Sequence, residues 1–287
     1  MTVRTAPPRT LIVTADDLGL HPDIDRGIEM AHRDGIVTSA SISAVGASFE
    51  NAVDVCRRHP RLDVGVHLTL VGERPLTDPA GLGDLVTRDG RFVEAHPALV
   101  ARVLSLRLRG DAVRRELTAQ IEKVRAAGIR PSHLDGHQHV HLLPRVWPVV
   151  VDLARAHGIG WVRVPAFEPL TGGGPEPVTL ALRAGLNLQA RIRRAALGPL
   201  RSADSTPALG ESGHLTVQGI VRGLGALRSG AVAELVTHPG ITTPELRARY
   251  DWGYDWSGET AALTDPSLRE AIEHAGFELR RFADLAA

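Results

Sequence analysis

Short apolar runs typical of β-strands alternate with segments of helical periodicity along most of the chain. Strands are predicted at Leu11–Ala15, Thr38–Ala44, Leu62–Leu68, Ser132–Asp135, Trp161–Val164, Val232–Thr237 and Phe277–Arg281. Helices are predicted at 22–34, Phe49–His59, Asp111–Ala127, Pro144–His157 and Pro266–His274. Repeated strand–helix units predict an α/β fold with a largely parallel sheet.

Polar residues follow strands from the first part of the chain to the last. Barrel and open α/β enzymes build their active sites from such residues at the carboxyl ends of parallel strands. About seven strands with polar ends predict a distorted TIM-like (β/α) barrel rather than an open sheet. No GxGxxG motif follows the first strand, so a dinucleotide-binding fold is not supported.

The 287 residues are expected to form one domain, 1–287, with a variable insertion at about 166–213. Gly72–Glu94 is rich in Gly, Pro and Asp and is predicted to be a long loop. The insertion contains TGGGPEP and then an arginine-rich stretch that predicts a helix with a basic face. We interpret this helix as a surface element that covers the barrel; a lid facing substrate or lipid is the alternative.

The composition narrows the class of protein. Thirty-three basic and thirty-three acidic residues cancel, so no global field favours nucleic acid or an anionic membrane. The single cysteine, Cys56, is expected to have an apolar role within a helix. No apolar run approaches the ~20 residues that span a bilayer, and the polar N-terminus does not resemble a signal peptide. A cytoplasmic protein is therefore expected.

Carboxylates and imidazoles at four strand ends indicate a metal-dependent hydrolase. Asp16 and Asp17 follow the first strand, His67 ends the third, and His238 follows Val232–Thr237. The segment 133–141 adds four histidines, and its spacing leaves open which of them is a ligand. Each residue alone has an ordinary explanation, such as a cap, a turn or a hydrogen-bonded core histidine. Their joint occurrence favours a metal-dependent active site.

Two imidazoles and one carboxylate would leave open positions on an ion, as catalytic metal sites do. Such an ion can lower the pKa of water from about 15.7 to about 7 and can polarise a carbonyl. A second carboxylate can then act as general base, and a separate histidine can protonate the leaving group. One divalent ion is expected; Zn²⁺, Mg²⁺, Ni²⁺ and Co²⁺ are all compatible with these donors.

Five motifs resemble, in order and nearly from end to end, those of the YdjC-like carbohydrate deacetylases. They are TADDLGLHPDIDRGI, GIVTSASI, VGVHLTL, HLDGHQHVHLLP and THPG. The resemblance implies a polysaccharide-deacetylase-like barrel that removes acetyl groups from N-acetylated sugars with a divalent metal. The site residues that it implies are Asp17, His67 and His137 as metal ligands, Asp16 as base, His238 as acid, and Arg163 to orient Asp16.

Two departures from the family pattern concern the substrate. Leu18 stands where the family often has Phe, and residues 166–213 match only loosely. The stretches VGERPLTDP and SGHLT resemble hopanoid-linked deacetylases of the same family. A glycolipid is therefore a second substrate class beside soluble N-acetylated sugars.

Aromatic residues alternate through RYDWGYDWSGE, from Tyr250 to Trp256. They could form a hydrophobic plug or a homodimer contact, or a platform for a sugar face beside the metal. The predicted substrate-binding residues are Trp252, Tyr254, Trp256 and His139.

Three classes of function fit this chain. The leading hypothesis is hydrolysis of an acetamide on an amino sugar. A metal-dependent phosphoesterase would usually add Lys or Arg clamps or a second metal, and only Arg163 is an evident candidate. A non-catalytic sugar- or lipid-binding protein would not need both Asp16 and His238 beside a metal site.

Overall fold

The computed structural model describes residues 9–94, 96–104, 108–166, 177–227 and 232–285. Within these residues seven strands form one parallel sheet, at the seven predicted places. They are β1 (Arg9–Leu18), β2 (Ser39–Ile42), β3 (Asp63–Leu68), β4 (His133–Gly136), β5 (Trp161–Val162), β6 (Val232–Thr237) and β7 (Phe277–Leu279). The order is β5-β4-β3-β2-β1-β6, and β7 pairs with the start of β1. The predicted α/β class is confirmed.

Ten helices accompany the sheet in the described part of the chain. They are α1 (Pro22–Arg33), α2 (Phe49–Arg58), α3 (His96–Leu104), α4 (Gly110–Ala126), α5 (Trp147–His157), α6 (Pro177–Ala195), α7 (Val217–Ala226), α8 (Pro244–Arg249), α9 (Trp256–Leu263) and α10 (Pro266–His274). The helix predicted at Pro266–His274 forms with those ends, the other predicted helices form with ends shifted by one to three residues, and α6 is the helix predicted in the insertion. Residues 171–176 of TGGGPEP lie outside the described residues. Helices α3 and α7 to α9 were not predicted, because they are short and two of them contain glycine.

The sheet curls into a half-barrel whose two edges are β5 and β6. Residues 201–205 lie between these edges and hydrogen-bond to both. The amide of Val162 donates to the carbonyl of Arg201, and the amide of Glu234 donates to the carbonyl of Ser205, each at 2.9 Å. The fold therefore resembles a TIM barrel only loosely, as the expected distortion implies.

Most of the strands are buried on both faces. Every residue of β2 and β3 is buried, as expected for strands of a parallel sheet that is covered on both sides. On α2, Cys56 packs against the core, and burial raises the pKa of its thiol to about 12. An apolar role for this cysteine fits that environment.

No helix in the described ranges combines the length and the apolar character needed to cross a lipid bilayer.

Candidate active site

The predicted polar residues lie at the carboxyl ends of neighbouring strands. Asp16 and Asp17 are near the end of β1, His67 is in β3, His137 begins the turn after β4, and His238 follows β6. All five line one cleft of about 840 Å³. Three further predicted residues line the same cleft: His139, Trp252 and Tyr254.

Strand β1 is irregular where the two aspartates stand. Its register against β2 shifts between Ala15 and Leu18, and Asp17 has a φ of 71°. This left-handed conformation is uncommon for residues other than glycine, although aspartate tolerates it better than most. A regular strand would point successive side chains to opposite faces. The bulge instead lets both carboxylates face the cleft.

Asp17, His67 and His137 bring three donor groups to one point. Nδ1 of His137 lies 2.8 Å from Oδ1 of Asp17, and Nε2 of His67 lies 3.3 Å from the same oxygen. The candidate ligand atoms of the three residues are all within 4.8 Å of one another. All three residues are buried. Two nitrogens and one oxygen at this spacing could hold one divalent cation.

The charges around this point favour a cation. Burial alone would raise the pKa of Asp17, but His137 and His67 hold that pKa well below its usual range. Burial alone would lower the pKa of His67, but the carboxylates of Asp135 and Asp16 hold it well above its usual range. The carboxylates thus stabilise positive charge among the imidazole nitrogens. A divalent ion can take the place of such protons, because it binds deprotonated ligands. The donor set therefore fits a divalent ion.

Asp135 supports His67 from the side away from Asp17. Its Oδ1 lies 2.8 Å from Nδ1 of His67, and its Oδ2 accepts a hydrogen bond from the hydroxyl of Ser41 at 2.6 Å. A carboxylate in this position fixes the tautomer and the orientation of a ligating histidine. No role for Asp135 was predicted from the sequence. The pairing of His67 with Asp135 between β3 and β4 places them together, and that pairing cannot be seen from local periodicity.

Arg163 is buried after β5 and holds Asp16 in one orientation. Its Nη1 and Nη2 donate to the two carboxylate oxygens of Asp16 at 2.6 and 2.8 Å. It also pairs with Asp135 at 2.6 Å and with Glu234 at 2.8 Å. Burial alone would lower the pKa of Arg163, but these three carboxylates hold it well above its usual range. Glu234 was not singled out in the sequence, since nothing marks it within the apolar run of β6.

His238 reaches the cleft from the end of β6. Its Nδ1 lies 3.1 Å from Oγ of Ser212, and its backbone amide donates to Glu259 at 2.6 Å. The imidazole also packs on Tyr254, with ring centroids 4.9 Å apart. Contact of Nδ1 with Ser212 leaves Nε2 for a molecule in the cleft. Ser212 and Glu259 were not predicted, because both are more than twenty residues from His238 along the chain.

The histidine-rich segment is neither the extended strand nor the helix that its spacing allowed. His137 to Leu142 form a 3₁₀ segment in which Gln138 and His139 have φ of 51° and 56°. His139 consequently lines the cleft, whereas Nε2 of His141 lies 2.9 Å from the carbonyl oxygen of Arg163. Burial lowers the pKa of both His139 and His141 to about 3, so both imidazoles are neutral.

Some residues of the aromatic segment line the cleft, and others are buried in the core. Trp252 lines the cleft, with its ring centroid 5.1 Å from that of His137. Trp256 is only 2% exposed and begins α9, because Asp255 caps the helix and ends the extended alternation. The prediction that Trp256 contacts sugar is therefore corrected, and Trp256 is a packing residue.

Much of the remaining cleft wall is apolar. It includes Val100, Leu142, Leu143, Pro144, Val164, Leu209 and Val236. Helix α6 adds Gln189, Ala190 and Arg193. The guanidinium of Arg193 lies 5.4 Å from the ring centroid of Trp147 and 3.4 Å from the Gln189 side-chain oxygen. An amphipathic ligand would therefore find apolar walls close to the polar donors.

Comparison with known proteins gives concordant matches along the chain. Residues 10–274 match the model of the YdjC-like protein family. A carbohydrate deacetylase of Brevibacillus brevis is 31% identical over 280 residues, which cover 96% of this chain and 99% of that protein. A human carbohydrate deacetylase is 33% identical over 304 residues, covering 97% and 92%. A chitooligosaccharide deacetylase of Citrobacter koseri is 29% identical over 278 residues, covering 96% and 99%.

A solved structure supports the same fold. It is a crystal structure from Enterococcus faecalis, described as a proposed cellobiose-phosphate cleavage protein. It superposes with a TM-score of 0.79 at 25% identity and covers 98% of this chain and 100% of its own. The half-barrel is thus found again in an experimental structure.

Proposed function

This chain belongs to the YdjC-like protein family, and from that membership we propose that it hydrolyses the acetamide of an N-acetylated amino sugar. The observation that carries the proposal is the convergence of Asp17, His67 and His137 in the cleft that Asp16 and His238 also line. The similar proteins named carbohydrate deacetylase or chitooligosaccharide deacetylase support the same activity.

Each polar residue then has one task. A divalent ion held by Asp17, His67 and His137 would supply Lewis acidity toward the acetyl carbonyl and would activate water. Asp16, oriented by Arg163, accepts the proton that the attacking water loses. His238 donates a proton to the sugar nitrogen as the carbon–nitrogen bond breaks. The products are acetate and the free amino sugar.

The surroundings of Arg163 weigh against the phosphoesterase alternative. A phosphate clamp needs a guanidinium with donors available to the ligand. Arg163 is 2% exposed, and its donors already bind Asp16, Asp135 and Glu234. It is therefore engaged in positioning carboxylates and does not serve as a phosphate clamp.

The test is acetate release. The protein is incubated with N-acetylated monosaccharides, chitooligosaccharides and N-acetylated glycolipids, in the presence of Zn²⁺, Ni²⁺, Co²⁺ or Mg²⁺, and acetate is measured. We expect acetate from at least one N-acetylated compound and none from its deacetylated counterpart. Stoichiometric metal binding without acetate from any compound would support the non-catalytic alternative, and release of phosphate from phosphate esters would support a phosphoesterase.

Asp135→Asn is expected to weaken metal affinity by about ten- to a hundredfold, the usual effect of losing a carboxylate that supports a ligating histidine. Asparagine cannot stabilise positive charge on His67 as the carboxylate does. Metal titration by calorimetry measures the change. Ser41→Ala removes another partner of Asp135 and is the matched control, which should change affinity much less. Equal affinities for Asp135→Asn and the native protein would contradict the role of Asp135.

Trp252→Ala is expected to raise KM for a glycan by about two- to tenfold, because a stacked ring contributes roughly 0.5–1.5 kcal/mol. Trp252→Phe should restore most of the loss, and metal content should not change. Trp256→Ala is the contrasting variant: its side chain is in the core, so the free energy of unfolding should fall by ~3–5 kcal/mol. An unchanged KM for Trp252→Ala, together with a smaller oligomer, would instead assign this segment to a subunit contact.

A further inference from the structure

Helix α6 presents two large aliphatic side chains to solvent. Leu188 is 57% exposed and Ile192 is 62% exposed. They are four residues apart and so lie on the same helix face. The other two exposed large hydrophobic residues in the described ranges, Leu76 and Val221, are each 36% exposed. Leu188 and Ile192, on the outer face of α6, are therefore the two most exposed large aliphatic side chains among those that the structure describes.

Another side of α6 faces the rest of the chain. Gln189 and Arg193 face the cleft, and Arg194 donates to the carbonyls of Val164 and Ala203 at 2.8 Å each. A helix on the surface of a globular protein normally buries its apolar residues and exposes polar ones. Leu188 and Ile192 depart from this pattern, since both are more than half exposed.

The charge of this region indicates the kind of partner. The 27 residues 177–203 contain no acidic residue and five arginines, namely Arg183, Arg191, Arg193, Arg194 and Arg201. The whole chain, in contrast, has equal numbers of basic and acidic residues. Arg191 is exposed between the two aliphatic residues in the sequence. An apolar face within a purely basic segment is complementary to an anionic surface that also accepts hydrocarbon.

We propose that the outer face of α6, formed by Leu188, Arg191 and Ile192, docks on an anionic lipid surface. The aliphatic side chains would enter the boundary between headgroups and acyl chains, and Arg191 would pair with lipid phosphate. Because Gln189 and Arg193, which are the next residues of the same helix, line the cleft, docking brings the cleft close to the headgroup layer. The proposal is independent of the reaction assigned to the cleft.

A second copy of the chain is a less suitable occupant. A two-fold dimer places the same patch of both copies in contact. Such a contact through α6 would bring two purely basic segments together, and like charges across an interface are unfavourable. A bilayer that contains anionic lipid supplies the opposite charge and the apolar phase at once.

The experiment is sedimentation of the whole protein with vesicles. One set of vesicles is phosphatidylcholine alone, and the other is an equimolar mixture of phosphatidylcholine and phosphatidylglycerol. We expect the partition coefficient to be at least tenfold higher for the anionic vesicles and to fall as salt is raised, because salt screens surface charge.

Variants on α6 and a matched control identify the docking surface. The double variant Leu188→Ser/Ile192→Ser should reduce the partition coefficient by tenfold or more. Arg191→Ala should reduce it by about fivefold on anionic vesicles and little on neutral ones. Val221→Ser removes an exposed aliphatic residue from α7 and should bind like the native protein. Thermal unfolding of each variant is measured to check that the variant is folded.

Three outcomes would overturn the proposal. The native protein could remain in the supernatant with anionic vesicles. The double variant could sediment as well as the native protein and Val221→Ser. Light scattering could reveal a lipid-independent dimer that the double variant converts to a monomer, in which case a second copy occupies this face. None of these results changes the acetate release that we expect from soluble substrates, so the proposed hydrolysis is tested separately.

Discussion

Asp16→Asn is expected to lower kcat by about 10²–10⁴-fold, the usual contribution of a general base, while the protein still binds its divalent ion. Asparagine keeps the shape of the side chain but cannot take a proton from water. Arg163 keeps two carboxylate partners, Asp135 and Glu234, so the buried guanidinium is not left unpaired. The comparison requires kcat from acetate release and metal content from elemental analysis of the same sample.

The control for this variant is Asp54→Asn, which removes an exposed carboxylate from α2. It should leave both kcat and metal content unchanged. A fully active Asp16→Asn protein would remove Asp16 from the role of base. Loss of metal rather than of turnover would mean that Asp16 and Asp17 exchange their roles.

His67→Ala and His137→Ala are each expected to weaken metal binding by more than the ~100-fold that loss of a supporting partner can cost. Turnover should fall with the metal. The barrel should persist, because both residues lie at strand ends rather than within the apolar core. Elemental analysis after dialysis and circular dichroism measure the two effects.

Two further variants separate ligand loss from misfolding. His67→Gln fills the buried space that alanine would leave empty and should also lose the metal. His274→Ala removes an exposed histidine on α10 and should keep it. Stoichiometric metal in both His67→Ala and His137→Ala would show that the ligands are other residues.

The strands and the place of the site could be predicted because their signals are local. Short segments of β-type residues bounded by turn or helix signals predict buried strands, and strands form at all seven predicted places. The carboxyl ends of parallel strands meet at one edge of the sheet. Asp16, His67 and His238 follow or end three such runs, so their meeting in one cleft follows from the topology alone.

The finer features of the site depend on contacts between distant parts of the chain. The bulge that turns Asp17 toward the cleft arises from the register of β1 against β2. The role of Asp135 arises from its pairing with His67 across β3 and β4. The burial of Trp256 arises from a helix that begins where alternation suggested an extended chain. Hydrophobic periodicity describes one segment at a time, so it contains none of this information.

The extended residues 201–205 bear on how this fold tolerates change. They hydrogen-bond to both β5 and β6, so residue 201, which follows the insertion, lies beside the strand that precedes the insertion. Closing a flexible loop costs only about 0.6 kcal/mol more for each doubling of its length. The insertion that contains α6 can therefore change in length while the proposed catalytic residues stay at the strand ends. The part of the cleft wall that α6 supplies can then diversify without any change in the proposed reaction.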